Sequence, residues 1–224
     1  RKEIQMLKLP ENFENYEEAR REGFIKVKNL KEKGTPVVGI FCTYTPIEII
    51  HAAGAVAVSL CGTSDEPIHH AEKHLPKNLC PLIKSSYGFA ISEQCPYFYF
   101  SDLLVGETTC DGKKKMYEIL NEIKPIHVMN LPQGQTADHA FIYWKKELIK
   151  LKERLEETFN VEITDEILRE EIKERNKERK ILMDFYELGK LNPSPISGCE
   201  VNETMEALGF QFDELEKIVS QVKF

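Results

Sequence analysis

Over the first 135 residues, short apolar runs alternate with longer amphipathic stretches. "NYEEARREGFIKVKNLKEKG" (15–34) has helical spacing and predicts a helix stopping at Gly34. "TPVVGIFCT" follows as a β-branched run, a buried strand. In "TPIEIIHAAG" Thr45 is positioned to cap, Pro46 suits the first turn, Glu48 completes a capping box and Gly54 ends the helix. "AVAVSLCG" (55–62) predicts a second strand, and "TSDEPIHHAEKHLPKN" a polar loop with a short helix. "LCPLIKSSYGFA" (79–90) predicts a helix with Pro81 in its first turn. "YFYFSDLLVGE" predicts the third strand, with Tyr97, Phe98, Tyr99 and Phe100 as strand and core residues. "GKKKMYEILNEIK" predicts a helix with Met116, Ile119, Leu120 and Ile123 on one face, and "PIHVMNLP" (125–132) a fourth strand.

Short apolar strands separated by helices imply an α/β domain, a parallel sheet with helices covering both faces. From about residue 136 the pattern becomes helical. "QTADHAFIYWKKELIKLKERLEETFN" and "TDEILREEIKERNKERKILMDFYELGKL" predict two long charged helices, "NPSPISG" a linker and "FDELEKIVSQV" a last helix. The expected organisation is therefore a cysteine-bearing α/β domain over 1–135 and a long helical extension over 136–224.

Composition narrows the function classes. A net charge of −7 argues against a broad nucleic-acid surface. With no apolar run of spanning length, a membrane helix is not expected. The first residues contain no continuous apolar stretch, which predicts a cytosolic chain without a leader. G-x-x-x-x-G-K-S/T is absent, so ATP chemistry is not expected on this chain.

The six cysteines carry the candidate chemistry. None forms a C-x-x-C pair, which disfavours zinc ribbons and thioredoxin-type sites. Ligands of parallel sheets collect at the carboxyl ends of the strands. Cys42 and Cys61 end the first two strands, Cys110 follows the third, and Cys80 precedes Pro81 at a helix start. Helix N-termini favour thiolate, the form that binds metal. Thiolates converging from separate loops point to an iron–sulfur cluster. Against this stands the plainer reading, in which each cysteine is a small buried hydrophobe of a cluster-free binding or assembly domain. His69, His70 and His74 read as an exposed polar loop, and Lys113, Lys114 and Lys115 as a solvated helix start. Lys84, Ser85 and Ser86 either donate hydrogen bonds near the thiols or face water.

"GIFCTYTPIEIIHAAGAVAVSLCGTSDE", "LPKNLCPLIKSSYGF" and "CPYFYFSDLLVGETTCDGKKKMYE" resemble the superfamily of 2-hydroxyacyl-CoA dehydratase and benzoyl-CoA reductase subunits, and within it the double-cubane cluster proteins. The resemblance implies a Rossmann-like domain and a second domain outside this chain. It also implies an iron–sulfur cluster, a 4Fe–4S cubane or a bridged double cubane. Cys80 in "LCPLIKSS" and Cys110 in "TTCD" match the family's ligand positions. By the same resemblance Cys42 is the next candidate metal ligand by position, and Cys95 a further candidate cofactor contact, with Cys61 behind it. Cys199 falls outside the motifs, in the linker. The implied activity is low-potential electron transfer to a small substrate, with an ATP-hydrolysing iron–sulfur activator as partner and a homodimeric assembly. The alternative within the family is a dehydratase subunit acting on a 2-hydroxyacyl-CoA.

Overall fold

Four strands, Val37–Phe41 (β1), Val56–Ser59 (β2), Leu103–Glu107 (β3) and Ile126–Met129 (β4), pair in the order β2-β1-β3-β4, all parallel. The computed structural model describes residues 16–62, 64–134, 136–208 and 212–221. The N-terminal stretch read as leaderless lies outside the described residues. Around the strands come helices α1 (Tyr16–Glu32), α2 (Ile47–Ala52), α3 (Ile68–Ala71), α4 (Pro81–Ile91), α5 (Pro96–Phe100), α6 (Asp111–Leu120) and α7 (Ala140–Phe159). Then follow α8 (Asp165–Glu187), a 3-10 turn Leu188–Lys190, α9 (Gly198–Leu208) and α10 (Phe212–Gln221). The fold is Rossmann-like α/β.

Every residue of β1 and β3 is buried, as expected for strands covered on both faces. Side chains alternate between two cores. Val37 and Phe41 join Leu104, Met116, Tyr117 and Leu120 on one face. Val38 and Ile40 join Leu103, Val105, Leu151 and Leu155 on the other. Each fully buried aliphatic side chain contributes about 1.5–3 kcal/mol. Glu147 fastens α7 to the end of β4. It is 2% exposed, accepts the Asn130 backbone N–H at 2.8 Å and pairs with Lys150 at 2.7 Å.

The chain divides into two compact units, residues 27–171 and the described residues up to 26 together with those from 172 onward. The first holds the sheet. The second has its own core of Phe185, Leu188, Ile196, Phe212, Leu215 and Ile218. No described helix is long and apolar enough to cross a membrane.

Local differences from the sequence reading have physical causes. Residues 97–100 are helical, not strand. Pro96 presets the first turn, and the Cys95 sulfur accepts the Phe98 N–H at 3.3 Å, so a cap and a proline override the aromatic run's β preference. Phe98 is buried while Tyr99 is 73% exposed. Thr45 does not cap α2. Its hydroxyl donates to Glu107, leaving Pro46 at the cap position. Cys199 lies in α9 rather than in a linker, with its thiol 3.5 Å from Glu203.

Gly62, in the loop after β2, presses on α4. A Cβ there would stand 2.7 Å from the Ser85 carbonyl carbon and from the Ser86 nitrogen. Gly62→Ala should cost about 1–3 kcal/mol in denaturant unfolding, because backbone rather than a flexible tip must move. An unchanged midpoint would contradict this packing.

Candidate functional site

The parallel register aligns the carboxyl ends of the strands. Ile40 pairs with Ser59 and Phe41 with Gly106, so continuing both registers sets Cys42 between Cys61 and Glu107. Glu107 in turn pairs with Met129. Cys42 leaves β1 with φ 78°, a left-handed turn unusual for a residue with a side chain. Its sulfur lies 3.6 Å from the Thr109 hydroxyl.

Two further thiols come from helix starts. Cys80 is the N-cap of α4 and Cys110 the N-cap of α6; both are exposed, and neither side chain caps its own helix. The two helices meet near these ends. A Cβ on Gly112 would stand 2.6 Å from Ile83 Cδ1 and 3.0 Å from Leu79 Cδ1, flanking Cys110 and Cys80 in sequence. Both helix N-termini place partial positive charge beside a sulfur that caps neither helix; in α4 Pro81 has no N–H to offer and the Ile83 N–H is taken by the Cys80 carbonyl.

Beneath the edge lies a buried polar cluster. Lys113, read from its lysine triplet as solvated, is 6% exposed, and its Nζ donates to the Cys42 sulfur. Lys114 and Lys115 do face outward, pairing with Asp111 and Glu118. Burial works against the Lys113 ammonium. The Cys42 hydrogen bond and the charges of Cys61, Cys42 and Glu107 outweigh it and hold Lys113 above the ordinary lysine value. Glu107 is fully buried, accepts from Thr45 through Oε1, and has no partner at Oε2. Burial raises its carboxyl above the usual range, against the opposing pull of Thr45 and Lys113. Tyr117, its hydroxyl also unpartnered, is held far above the usual phenol value, chiefly by burial and then by Cys42, Glu107 and Cys61.

Other candidates lie elsewhere. Cys95 caps α5 before β3 begins, at the amino edge of the sheet, opposite the other thiols. Burial pushes its thiol up, and it lines a cavity of about 510 Å³ with His74, Tyr87, Phe98 and Lys124. His74 Nδ1 is 2.6 Å from the Tyr87 hydroxyl, and His69 Nδ1 is 2.9 Å from the Glu66 carbonyl. Lys84 is buried and donates to Glu72 at 2.9 Å and to the Lys77 carbonyl at 2.7 Å. Ser86 accepts the Gly62 N–H at 2.8 Å. Lys84 and Ser86 therefore fasten loops to α4 rather than facing water. Among the described residues, no three His, Cys, Asp or Glu side chains are placed to hold a metal ion. The edge assembles Cys42, Cys61, Cys80 and Cys110 without closing them into one ligand set.

The Lys113–Glu107–Tyr117 cluster was missed in the sequence, although a signal for it exists. Lys113, Met116, Tyr117 and Leu120 occupy one helical stripe, and all four are buried. A carboxylate ending the apolar run "LLVGE" was the second sign.

Residues 42–223 match the family 2-hydroxyglutaryl-CoA dehydratase, D-component. The chain belongs to this family. It is 53% identical over 96% of its length to YjiM of Escherichia coli (strain K12), which bears the name of a dehydratase subunit, and covers 56% of that protein. It is 28% identical over 76% of its length to a benzoyl-CoA reductase subunit of Thauera aromatica, covering 45% of it. Against the beta subunit of lactoyl-CoA dehydratase from Anaerotignum propionicum the identity is 25% over 86% of the chain and 52% of the relative. The chain spans about half the length of these dehydratase-family relatives.

The buried carboxyl sets a pH dependence. The Glu107 pKa is raised in the fold, so its contribution is present below the ordinary carboxyl range and is lost as pH rises through the raised value. Glu107→Gln should remove that slope, and wild type should lose stability relative to the variant as pH climbs above about 4. A wild-type-minus-variant difference that stays constant with pH would contradict this.

Proposed function

We propose that this chain is an iron–sulfur component of a low-potential reductase or dehydratase, with Cys80 and Cys110 as thiolate ligands. The observation that carries the reading is the pair of exposed, uncapped thiols at the N-termini of α4 and α6, whose first turns pack together. Soft sulfur donors beside helix N-termini suit an anionic cluster. Such a group supplies one-electron transfer at low potential. This chain's residues supply binding and field: α4 and α6 direct their N-termini at the thiols, and Lys113 places a buried positive charge beneath the same edge. The remaining ligands come from other thiols on that edge or from outside the described residues.

Cys42 and Cys61, which the strand register brings to the same edge, are further sulfur donors and favour a double-cubane form over a single cubane. In that form the substrate is a small molecule, the assembly is a cytoplasmic homodimer, and electrons arrive from a separate ATP-hydrolysing iron–sulfur activator. The absence of a G-x-x-x-x-G-K-S/T motif here agrees with ATP being handled by that partner. The second reading, a 2-hydroxyacyl-CoA dehydratase subunit, is supported by the names of the relatives, lactoyl-CoA dehydratase among them.

Protein purified without oxygen should be brown and carry acid-labile sulfide, with about eight irons per chain for a double cubane and about four for a single one. Cys80→Ala and Cys110→Ala should each lose iron and sulfide, whereas Cys199→Ala and Cys95→Ala should keep them. A colourless wild type, or a Cys80→Ala/Cys110→Ala variant that retains its iron, would overturn the proposal.

A further inference from the structure

The cavity at the amino edge of the sheet is formed where helices end. The last turns of α4 and α6 both open on it, through Ala90 and Ile91 from the first and Ile119 from the second. A helix C-terminus carries partial negative charge, and a cation beside it is favourable. Neither of these last turns holds a basic residue. Each is followed instead by a carboxylate on the cavity wall, Glu93 after α4 and Glu122 after α6. Both glutamates are exposed, and among the described residues neither carboxylate has a hydrogen-bond or ion-pair partner. The basic groups on the wall are committed elsewhere. Lys124 Nζ donates to the carbonyls of Tyr99 at 3.0 Å and Ser101 at 2.6 Å, at the end of α5, and lies 5.3 Å from the Phe98 ring centre. His74 Nδ1 lies against the Tyr87 hydroxyl. Burial first, and then the charge of Glu122, holds that phenol above its usual value, so the carboxylate's field reaches the cavity floor.

We propose that this cavity binds a small organic ammonium ion, its apolar body between the ends of α4 and α6 and its charged nitrogen at Glu93 and Glu122. The volume, about 510 Å³, is that of a small-molecule site. Aliphatic side chains from both helix ends give the body of the ligand a surface to bury. Charge decides the class. An anion would meet two carboxylates and two negative helix ends, with the nearest ammonium already held by backbone carbonyls. A neutral molecule would gain the apolar contact and leave both carboxylates without a partner. An ammonium takes the place that a basic residue in either last turn would occupy, as Lys124 does for the end of α5. Among the described residues no three acidic, histidine or cysteine side chains converge, which suits a cation with an apolar body better than a metal ion. The site lies at the opposite edge of the sheet from Cys42, Cys80 and Cys110, so it is independent of the cluster reading.

Titration of the full chain with three probes of one shape tests this: phenethylamine, 2-phenylethanol and phenylacetate, followed by calorimetry and by saturation-transfer NMR. Phenethylamine should bind, the neutral alcohol about tenfold more weakly, and phenylacetate more weakly still. The double variant Glu93→Gln/Glu122→Gln replaces two exposed side chains and should stay folded. It should weaken phenethylamine by about tenfold and leave the alcohol unchanged. Added salt should weaken the amine in wild type and have little effect in the double variant. No saturation transfer to phenethylamine would overturn the proposal. So would an alcohol that binds as tightly as the amine, or a folded double variant with wild-type affinity for the amine.

Discussion

Parallel pairing of β1 between β2 and β3 is the constraint from which the rest follows. Once the register sets Gly39 beside Val58 and Leu104, the residues leaving those strands must emerge together. The crossover helices then return along the faces with their N-termini at the same edge, because a parallel connection leaves them no other direction. Cys80 and Cys110 owe their positions to that geometry rather than to any local motif. A thiol that begins a crossover helix is carried to the edge where strand-end thiols already stand. The opposite edge receives the ends of those helices and the starts of the strands, which is why Cys95 is separated from the others.

Burial turns this arrangement into an electrostatic one. A lysine inside a sheet–helix interface is costly to desolvate unless it meets an acceptor. Lys113 meets sulfur at Cys42 and is coupled to the Glu107 carboxyl. Its position on the stripe of Met116, Tyr117 and Leu120 leaves it no route to solvent comparable to those of Lys114 and Lys115. The same enclosed setting raises the pKa of both Glu107 and Tyr117, beside the Lys113 ammonium.

The sheet was legible because β-branched runs such as "TPVVGIF" and "AVAVS" admit few alternatives, and glycines at Gly34 and Gly54 close their helices with positive φ. The placement of Cys80 and Cys110 followed from Pro81 and from the strand–turn–helix order. Three features depended on tertiary partners that local reading does not include. The aromatic run after Pro96 has strand-like composition, but a proline and a sulfur cap turn it into helix. Thr45 had a capping sequence, yet a carboxylate distant in sequence takes its hydroxyl. Lys113 was hidden by its two solvated neighbours; only the stripe it shares with Met116 and Tyr117 distinguishes it. Residues 192–198 read as a linker, and α9 begins at the last of them, Gly198.

The claim that ties these parts together is that sulfur atoms on one sheet edge share a common inorganic group. X-ray absorption at the iron edge of protein isolated without oxygen tests it most directly. The account predicts an iron environment of sulfur neighbours alone, with iron–iron scattering beyond them, and loss of that pattern when Cys80 and Cys110 are replaced. Iron surrounded by oxygen or nitrogen with no second iron, or no bound iron at all, would contradict it.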